Sequence, residues 1–462
     1  MHAERSPVAA IIALGVTQII GYGTLYYSFS ILAADMAKGL GWTTEWVFGA
    51  LSAALLIGGA TAPWVGRLID AIGAGRVMAV GSLAASVSLA ACALAPGGVA
   101  FVAALIAMET ASNLVLYGAA FALLVQIRPR AAQRSITYLT LIAGFASTVF
   151  WPVTTALHER MSWQDVYLVF AGLNLAVCFP LYVWLSLGLS KQGGAAIGQQ
   201  SAVAGLLAPA QRKAGFRLML VGFAALSLVV AAILVHMIPL LSGLGLGASA
   251  AVIGTLFGPS QVLSRLVNMV FGRNLPPIAL ALIAATLMPA SVALLALTAP
   301  STTGAMVFAV VFGLGNGLFS IVIGTLPLAL FGSEGYGTLQ GKVMAARLIV
   351  ADHMAGHDAA VIDVQPDAFG LGNQIADGEH NAGVANQHAM AGALGAERLG
   401  GESVARDHRV QPHHGGERAV EVVAVIFRLR LDRGRHLVFG QSRHSWAPVG
   451  ARVGSRTAIY GI

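Results

Sequence analysis

The chain has 462 residues, a formal net charge of +7 and a mean hydropathy of +0.76; 57% of its residues are hydrophobic and only 10% are charged. Soluble domains carry about a quarter charged residues, so this composition excludes an ordinary soluble protein and indicates a membrane protein. The positive charge could suggest nucleic-acid binding, but the cations lie between apolar segments, where they report membrane topology.

The two cysteines, Cys92 and Cys178, both lie inside apolar segments, so the sequence predicts neither a disulfide framework nor a metal cluster. The first apolar run, residues 7–34, is too long for the apolar core of a cleavable signal peptide. We therefore expect this run to stay in the protein as its first membrane span.

Apolar runs long enough to cross a bilayer, which takes about 20 helical residues, follow one another through the first three quarters of the chain. We predict ten such spans, numbered in chain order: 7–34, 46–66, 77–96, 99–126, 136–157, 165–189, 216–241, 250–271, 277–298 and 304–331.

Positive charge alternates along the connections between these spans. The connections after spans 2, 4, 6 and 8 are rich in Lys and Arg, whereas the others carry few. By the positive-inside rule the N-terminus is cytoplasmic, and we expect a multi-pass protein of the inner (plasma) membrane. The basic connections contain Arg67, Arg76, Arg128, Arg130, Arg134, Lys191, Arg212, Lys213 and Arg273.

The two halves of the chain can be laid over each other with an offset of about 198 residues, which places segment 66–70 on segment 264–268. Such an internal repeat is typical of secondary transporters. We predict a six-helix bundle at residues 1–189, a cytoplasmic loop at 190–215, and an incomplete second bundle at 216–350 that ends at the start of span 11.

The composition changes at about Val350. The first 350 residues contain 24 charged side chains, whereas residues 351–462 contain 23 and also hold 9 of the 12 histidines. We predict a non-membrane, disordered, cytoplasmic tail over 351–462, with no metal site because His413–His414 is the only close pair. We expect the second bundle, which lacks two of six helices, to be unstable or inactive. The preferred hypothesis is a frameshift near residue 350; a genuine disordered domain and a chimeric assembly are the alternatives.

The second connection reads Gly66-Arg-Leu-Ile-Asp70-Ala-Ile-Gly73-Ala-Gly-Arg76 and resembles the loop 2–3 signature of the major facilitator superfamily. The resemblance, which covers about residues 7–350, implies an all-α polytopic membrane protein of two six-helix bundles, here with the second truncated to about ten spans plus a partial span 11. It also implies a gating loop, in which Asp70 faces the start of span 11. The residues of the predicted gating loop are Gly66, Arg67, Asp70, Gly73 and Arg76.

Spans 1 and 8 are similar to the monocarboxylate and oxalate–formate branch of that superfamily. In this branch cations of spans 8 and 11 hold the substrate carboxylate, and Arg265 and Arg347 stand at the matching positions. Gln261 stands where proton-coupled members carry an Asp. Under the internal repeat Arg265 aligns with Arg67, so a helix-end cation is the alternative for Arg265.

Two polar stripes have helical spacing and predict residues that line a central cavity. Span 1 carries Gln18, Tyr22 and Tyr26, and span 4 carries Glu109 and Asn113 followed by Tyr117. For Glu109 the alternatives are a proton or substrate site and an interhelical hydrogen bond. The predicted cavity residues are Gln18, Tyr22, Tyr26, Glu109, Asn113, Arg265 and Arg347.

The sequence therefore predicts a secondary active transporter that moves a small organic anion by alternating access. The alternatives are drug or metalloid efflux by the same fold, and a non-transporting membrane sensor or inactive truncated product. We expect no enzyme activity, no cofactor and no metal. The expected partners are a small solute and the lipid bilayer, not nucleic acid, and a monomer is the expected oligomeric state.

Overall fold

We analysed the protein as a computed structural model that describes residues 7–190, 202–272 and 275–362, with the backbone alone beyond Ile349. Over these residues every regular element is a helix, apart from one isolated β-bridge between Ala204 and Gly332. Ten helical segments of the described residues are long and apolar enough to cross a membrane. The predicted fold class is therefore confirmed.

The first half contains six membrane-length segments, four of which are interrupted near the middle. Its helices are α1 (Pro7–Tyr22), α2 (Ser28–Leu40), α3 (Thr44–Ile72), α4 (Ala74–Ala93), α5 (Gly98–Val115), α6 (Tyr117–Ile127), α7 (Ala132–Ala143), α8 (Ala146–His158), α9 (Trp163–Leu173) and α10 (Phe179–Ser190).

The second half contains four membrane-length segments and one further long helix. Its helices are α11 (Arg212–Leu241), α12 (Gly247–Thr255), α13 (Phe257–Val270), α14 (Pro277–Thr298), α15 (Thr302–Phe331) and α16 (Tyr336–Ile362).

Helix α16 is longer than the sequence predicts. The apolar run ends near Val350, but the helix continues to Ile362 and has 27 residues. Helix formation follows backbone propensity and packing of one face, and α16 packs along α3 for much of its length. The remainder of the predicted tail, residues 363–462, lies outside the described residues.

Local sequence sets the ends of several helices. Thr43 and Ser162 cap α3 and α9, since their side-chain oxygens accept hydrogen bonds from Trp46 N (3.4 Å) and Asp165 N (3.2 Å). At the other end of α3, Gly73 has φ +91°, a conformation that residues with a Cβ rarely adopt. Gly73 therefore makes the tight turn between α3 and α4.

Apart from the packing of α16 along α3, the two halves meet mainly at one end of the molecule. We call this end, which carries the arginines of the connections after α3 and α6, the basic end. The main contacts between the halves join α3 and α6 to α16, and α7 to α13 and α15. Helices α6 and α7 are the parts of their spans nearest the basic end, so the two bundles are closed against each other there.

The connection between the two halves is fastened to this end. Segment 202–208 runs along the end of α15, where Val203 and Ser333 exchange two hydrogen bonds of 3.0 Å. The last carbonyl groups of a helix lack partners within the helix. Two main-chain N–H groups of the segment supply them: Leu206 N donates to Ala329 O (3.0 Å) and Leu207 N donates to Leu330 O (3.1 Å).

Candidate functional site

A cavity of about 520 Å³ lies between the two halves, a volume typical of small-molecule sites. Its walls come from the junction of α1 and α2, the start of α6, the break between α7 and α8, and the middle of α13. The lining side chains that carry chemistry are Tyr22, Tyr27, Tyr117, Phe145, Gln261 and Arg265.

Arg265 brings a guanidinium group into the cavity wall from α13. It is only 6% exposed, and it donates hydrogen bonds to Ser320 Oγ (3.1 Å, from Nε) and to the main-chain oxygen of Thr140 (3.1 Å, from Nη1). Gly144 makes room for it, because a Cβ at that position would overlap Nη1. Among the described side chains, no carboxylate lies within 4 Å of this guanidinium. The group is therefore held in place by neutral partners, a suitable arrangement for receiving an anion.

Arg347 supplies a second partly buried guanidinium, from α16. Its Nε donates to Ser227 Oγ (3.0 Å), and the group lies over the ring of Phe319 at 5.6 Å from the centroid. It does not line the 520 Å³ cavity. None of the described carboxylates pairs with Arg347 either.

The tyrosines of the first span are arranged by a π-helical turn, Gly23–Tyr27, which joins α1 to α2. In a π turn the backbone hydrogen bonds join residues five apart rather than four, and such turns are frequent at functional sites. As a result Tyr27, not the predicted Tyr26, lines the cavity together with Tyr22. Tyr26 is 56% exposed, and its ring packs edge-on against those of Tyr22 and Tyr27. The sequence showed no sign of this turn beyond the glycine.

Gln18 is fully buried and does not line the cavity. Instead, its Nε2 donates a hydrogen bond of 2.7 Å to the main-chain oxygen of Val115. Leu116 has an extended conformation (ψ −166°) that interrupts the span between α5 and α6, and broken helices in a membrane need such side-chain partners. Gln18 therefore supports the break that places Tyr117 in the cavity wall.

Glu109 is buried on α5, 5% exposed, and accepts a hydrogen bond of 3.4 Å at Oε2 from Ser112 Oγ. It packs against α3 at Gly58, and Asn113 Nδ2 donates to the Gly58 oxygen (2.8 Å). The structure thus places both residues at the contact of α3 and α5. Neither of them lines the 520 Å³ cavity.

Gln261 lies one turn before Arg265 and also faces the cavity. Its Oε1 accepts a hydrogen bond of 3.0 Å from Asn316 Nδ2 of α15, the interhelical hydrogen bond that the polar residue in a glycine-rich run suggests. Gly317, next to Asn316, has no room for a Cβ because Ser264 and the backbone of Gln261 lie against it. The close packing of α13 and α15 therefore fixes the position of the Arg265 side of the cavity.

The basic end is closed by the predicted gating loop. Asp70 Oδ1 accepts a hydrogen bond from Gly337 N (2.8 Å) and Oδ2 accepts one from Thr338 N (2.7 Å). These are two of the N–H groups that the first turn of α16 leaves without partners, and the positive end of the helix dipole points to the same place. The carboxylate of one half thus caps a helix of the other half, as the sequence predicts. Arg67 and Arg76 of the same loop are exposed.

Small residues bring α3 and α16 together behind Asp70. A Cβ at Gly66 would overlap the main-chain oxygen of Gly337, and a Cβ at Gly341 would overlap that of Ala62. Small residues four positions apart allow two membrane helices to approach backbone to backbone. Gln126, which the sequence analysis does not single out, holds the turn after α3: Oε1 accepts from Ala74 N (2.8 Å) and Nε2 donates to Ile69 O (3.3 Å).

A family model described as Major Facilitator Superfamily matches residues 14–351. The chain belongs to the major facilitator superfamily. Superfamily members are transporters with two helical bundles around a central path, which accounts for the cavity and for the closed interface at the basic end. No curated protein matches this sequence significantly.

Solved structures of this superfamily have the same fold at low sequence identity. The human organic anion transporter MFSD10 gives a TM-score of 0.57 at 16% identity, covering 78% of this chain and 94% of that one. The proton:xylose symporter XylE gives 0.56 at 12% identity, covering 77% and 90%. The E. coli fucose:proton symporter FucP gives 0.52 at 14% identity, covering 78% and 92%. At these identities the similarity establishes the fold alone.

Proposed function

We propose that this member of the superfamily is a secondary transporter that moves a small organic anion by alternating access. The observation that carries the proposal is the guanidinium of Arg265, which lines a central cavity without a described carboxylate partner. An uncompensated charge in a membrane protein is costly and marks a substrate or ion path. A carboxylate substrate in the cavity would provide the missing negative charge and could be held by two parallel hydrogen bonds.

The closed basic end supports alternating access. Asp70 fastens α3 to α16 there, while the main contacts between the halves leave out α8 and α12, which lie toward the opposite end. This arrangement fits a state in which the cavity is reached from the opposite end. Opening the basic end would separate Asp70 from the first turn of α16. Transitions between two conformations commonly break and remake such interface contacts.

The positive-inside rule supports a cytoplasmic location for the basic end and the N-terminus, and the inner (plasma) membrane as the site of action. In that orientation the structure corresponds to an outward-facing state. Cysteines placed singly at Arg67 and at Glu45, on opposite ends of α3, test the orientation. In intact cells a membrane-impermeant maleimide should label the cysteine at position 45 and not the one at position 67; the reverse pattern would invert the topology.

The choice of substrate class is tested by exchanging the cation at two positions. Arg265→Lys keeps the charge but loses the planar, two-pronged geometry that fits a carboxylate. Binding of radiolabelled carboxylates to the purified chain should weaken by at least about tenfold. Arg67→Lys, at the exposed repeat-related position, is the matched control and should bind as the original chain does.

The neutral amides of the same acids complete this experiment. If the amides bind as well as the acids, or if Arg265→Lys leaves carboxylate binding unchanged, Arg265 is a structural cation. Drug efflux by the same fold then becomes the better hypothesis.

The truncation within span 11, near residue 350, remains our hypothesis about the gene. Helix α16 carries the chain to Ile362, and the predicted tail beyond it lies outside the described residues. Resequencing the gene around codon 350 tests the frameshift. A corrected reading frame should encode the remainder of span 11 and a twelfth apolar span. An unchanged reading frame would favour a genuine cytoplasmic domain.

A further inference from the structure

The wall of the cavity opposite Arg265 is aromatic. The rings of Tyr22 and Tyr117 lie 4.7 Å apart between centroids, and those of Tyr22 and Tyr27 lie 6.4 Å apart. Tyr117 is in turn stacked on Phe121, with centroids 5.0 Å apart and planes inclined by 13°. Aromatic rings attract one another in offset and edge-to-face arrangements, so this wall is suited to a further ring.

Two interruptions of regular helix place the tyrosines of this aromatic wall. The π turn at Gly23–Tyr27 brings Tyr27 onto the same side as Tyr22, and the interruption at Leu116 lets Tyr117 meet Tyr22. Interruptions in a membrane helix must be stabilised by side chains, as Gln18 does for the main-chain oxygen of Val115. Two adjacent spans thus depart from regular helix at the level where the three tyrosines converge.

The size of the cavity argues against the smallest carboxylates. A volume of about 520 Å³ lies well within the range of sites that hold drug-sized ligands. A two- or three-carbon acid paired with Arg265 would leave most of the aromatic wall without contact. The guanidinium also excludes organic cations, which aromatic walls otherwise attract.

We infer that the substrate is a carboxylate with an aromatic ring, whose anionic group pairs with Arg265 while its ring packs among Tyr22, Tyr27 and Tyr117. This inference rests on the proposed function, since it specifies the substrate class of the same site. The carboxylate supplies the interaction with the cation, and the ring supplies the preference over aliphatic acids.

Three acids that carry the same single negative charge separate the contributions of the carboxylate and the ring to binding. They are benzoate, cyclohexanecarboxylate and acetate. Binding to the purified full-length chain is measured by displacement of radiolabelled benzoate. Benzoate should bind at least about tenfold more tightly than acetate, because ring burial adds hydrophobic free energy. Benzoate should also exceed cyclohexanecarboxylate by about two- to tenfold, the range expected for aromatic pairing.

Tyr27→Leu should remove the preference of benzoate over cyclohexanecarboxylate while both acids still bind. Tyr138→Leu, on α7 and outside the cavity wall, is the matched control and should keep the preference. A thermal unfolding scan of each variant establishes that it is folded.

Two outcomes overturn the inference, and they differ from each other. Equal binding of benzoate and acetate would refute the aromatic substrate and leave the anion transporter standing. Absence of binding by all three acids, with the protein folded, would refute the proposed function and the inference together.

Discussion

Segments 66–70 and 264–268 align under the internal repeat of the sequence, yet their side chains make different contacts. In the first half Gly66 admits the backbone of α16 and Asp70 caps its first turn, while Arg67 is exposed. In the second half Arg265 is buried in the cavity wall, and the position of Asp70 is taken by the neutral Asn268.

In the first repeat, Gly66 and Asp70 form the contact that holds the two bundles together, which we call the lock. In the second repeat, Arg265 supplies the cation of the cavity. Gly144 and Ser320 decide this, because they create the room and the hydrogen bond that turn Arg265 inward. Arg67, by contrast, is exposed. A repeat therefore predicts where a residue lies along a helix, but not which way its environment draws the side chain.

The lock is the more vulnerable of the two regions. Gly66→Leu should abolish closure of the basic end, because even a Cβ overlaps the backbone of Gly337 and neither helix can yield locally. Accessibility to maleimide of a cysteine at Gln340, which is 1% exposed and lies beside Gly118 of α6, should rise to that of an open control. Gly49→Leu in the same helix, where a Cβ meets nothing within 4 Å, should leave the labelling unchanged. Equal labelling of both variants would refute the contact.

Removing the charge of the lock has a smaller but still large effect. Asp70→Asn retains the shape but loses charge-assisted hydrogen bonds to two N–H groups, worth about 2 kcal/mol in total. The ratio of closed to open molecules at equilibrium should therefore fall roughly thirtyfold, as measured by the same labelling. Asp165→Asn is the control, since Asp165 bonds only within its own turn, to Ser162.

The break at Leu116, which Gln18 supports, should affect ligand binding in the cavity rather than closure of the basic end. Gln18→Leu removes the closer of two donors to the main-chain oxygen of Val115, the other being the Tyr182 hydroxyl at 3.4 Å, and the loss of such a hydrogen bond costs about 0.5–1.5 kcal/mol. Thermal stability should fall and benzoate binding should weaken, because Tyr117 loses its fixed position. Gln211→Leu, at an exposed position, serves as the control. Unchanged binding would separate Gln18 from the cavity.

The mildest expected change concerns Glu109. Glu109→Gln keeps the contact with Ser112 but cannot take up or release a proton. If this carboxyl group couples a proton to transport, uptake driven by a pH gradient should fall several-fold, while exchange of substrate without a gradient persists. Uptake that still responds to the gradient would leave Glu109 as a helix–helix contact of α3 and α5.

The sequence by itself determined the membrane class, the ten spans and the family, and the resemblance to that family pointed to Asp70 at the start of span 11. These features can be recognised in the sequence alone. Long apolar runs must form helices in lipid, and the loop signature contains glycines and a carboxylate at fixed spacing. The length of α16 was not determined in this way. The helix continues to Ile362, and α16 packs against α3, a contact that composition does not report.

The membership of the cavity was decided by the tertiary structure. Regular helical spacing placed Gln18 and Tyr26 with Tyr22, but the π turn and the break at Leu116 brought Tyr27 and Tyr117 to the wall and left Gln18 as a support. Such interruptions depend on partners contributed by other helices. A sequence periodicity assumes an unbroken helix, so it cannot foresee the residues that an interruption brings together.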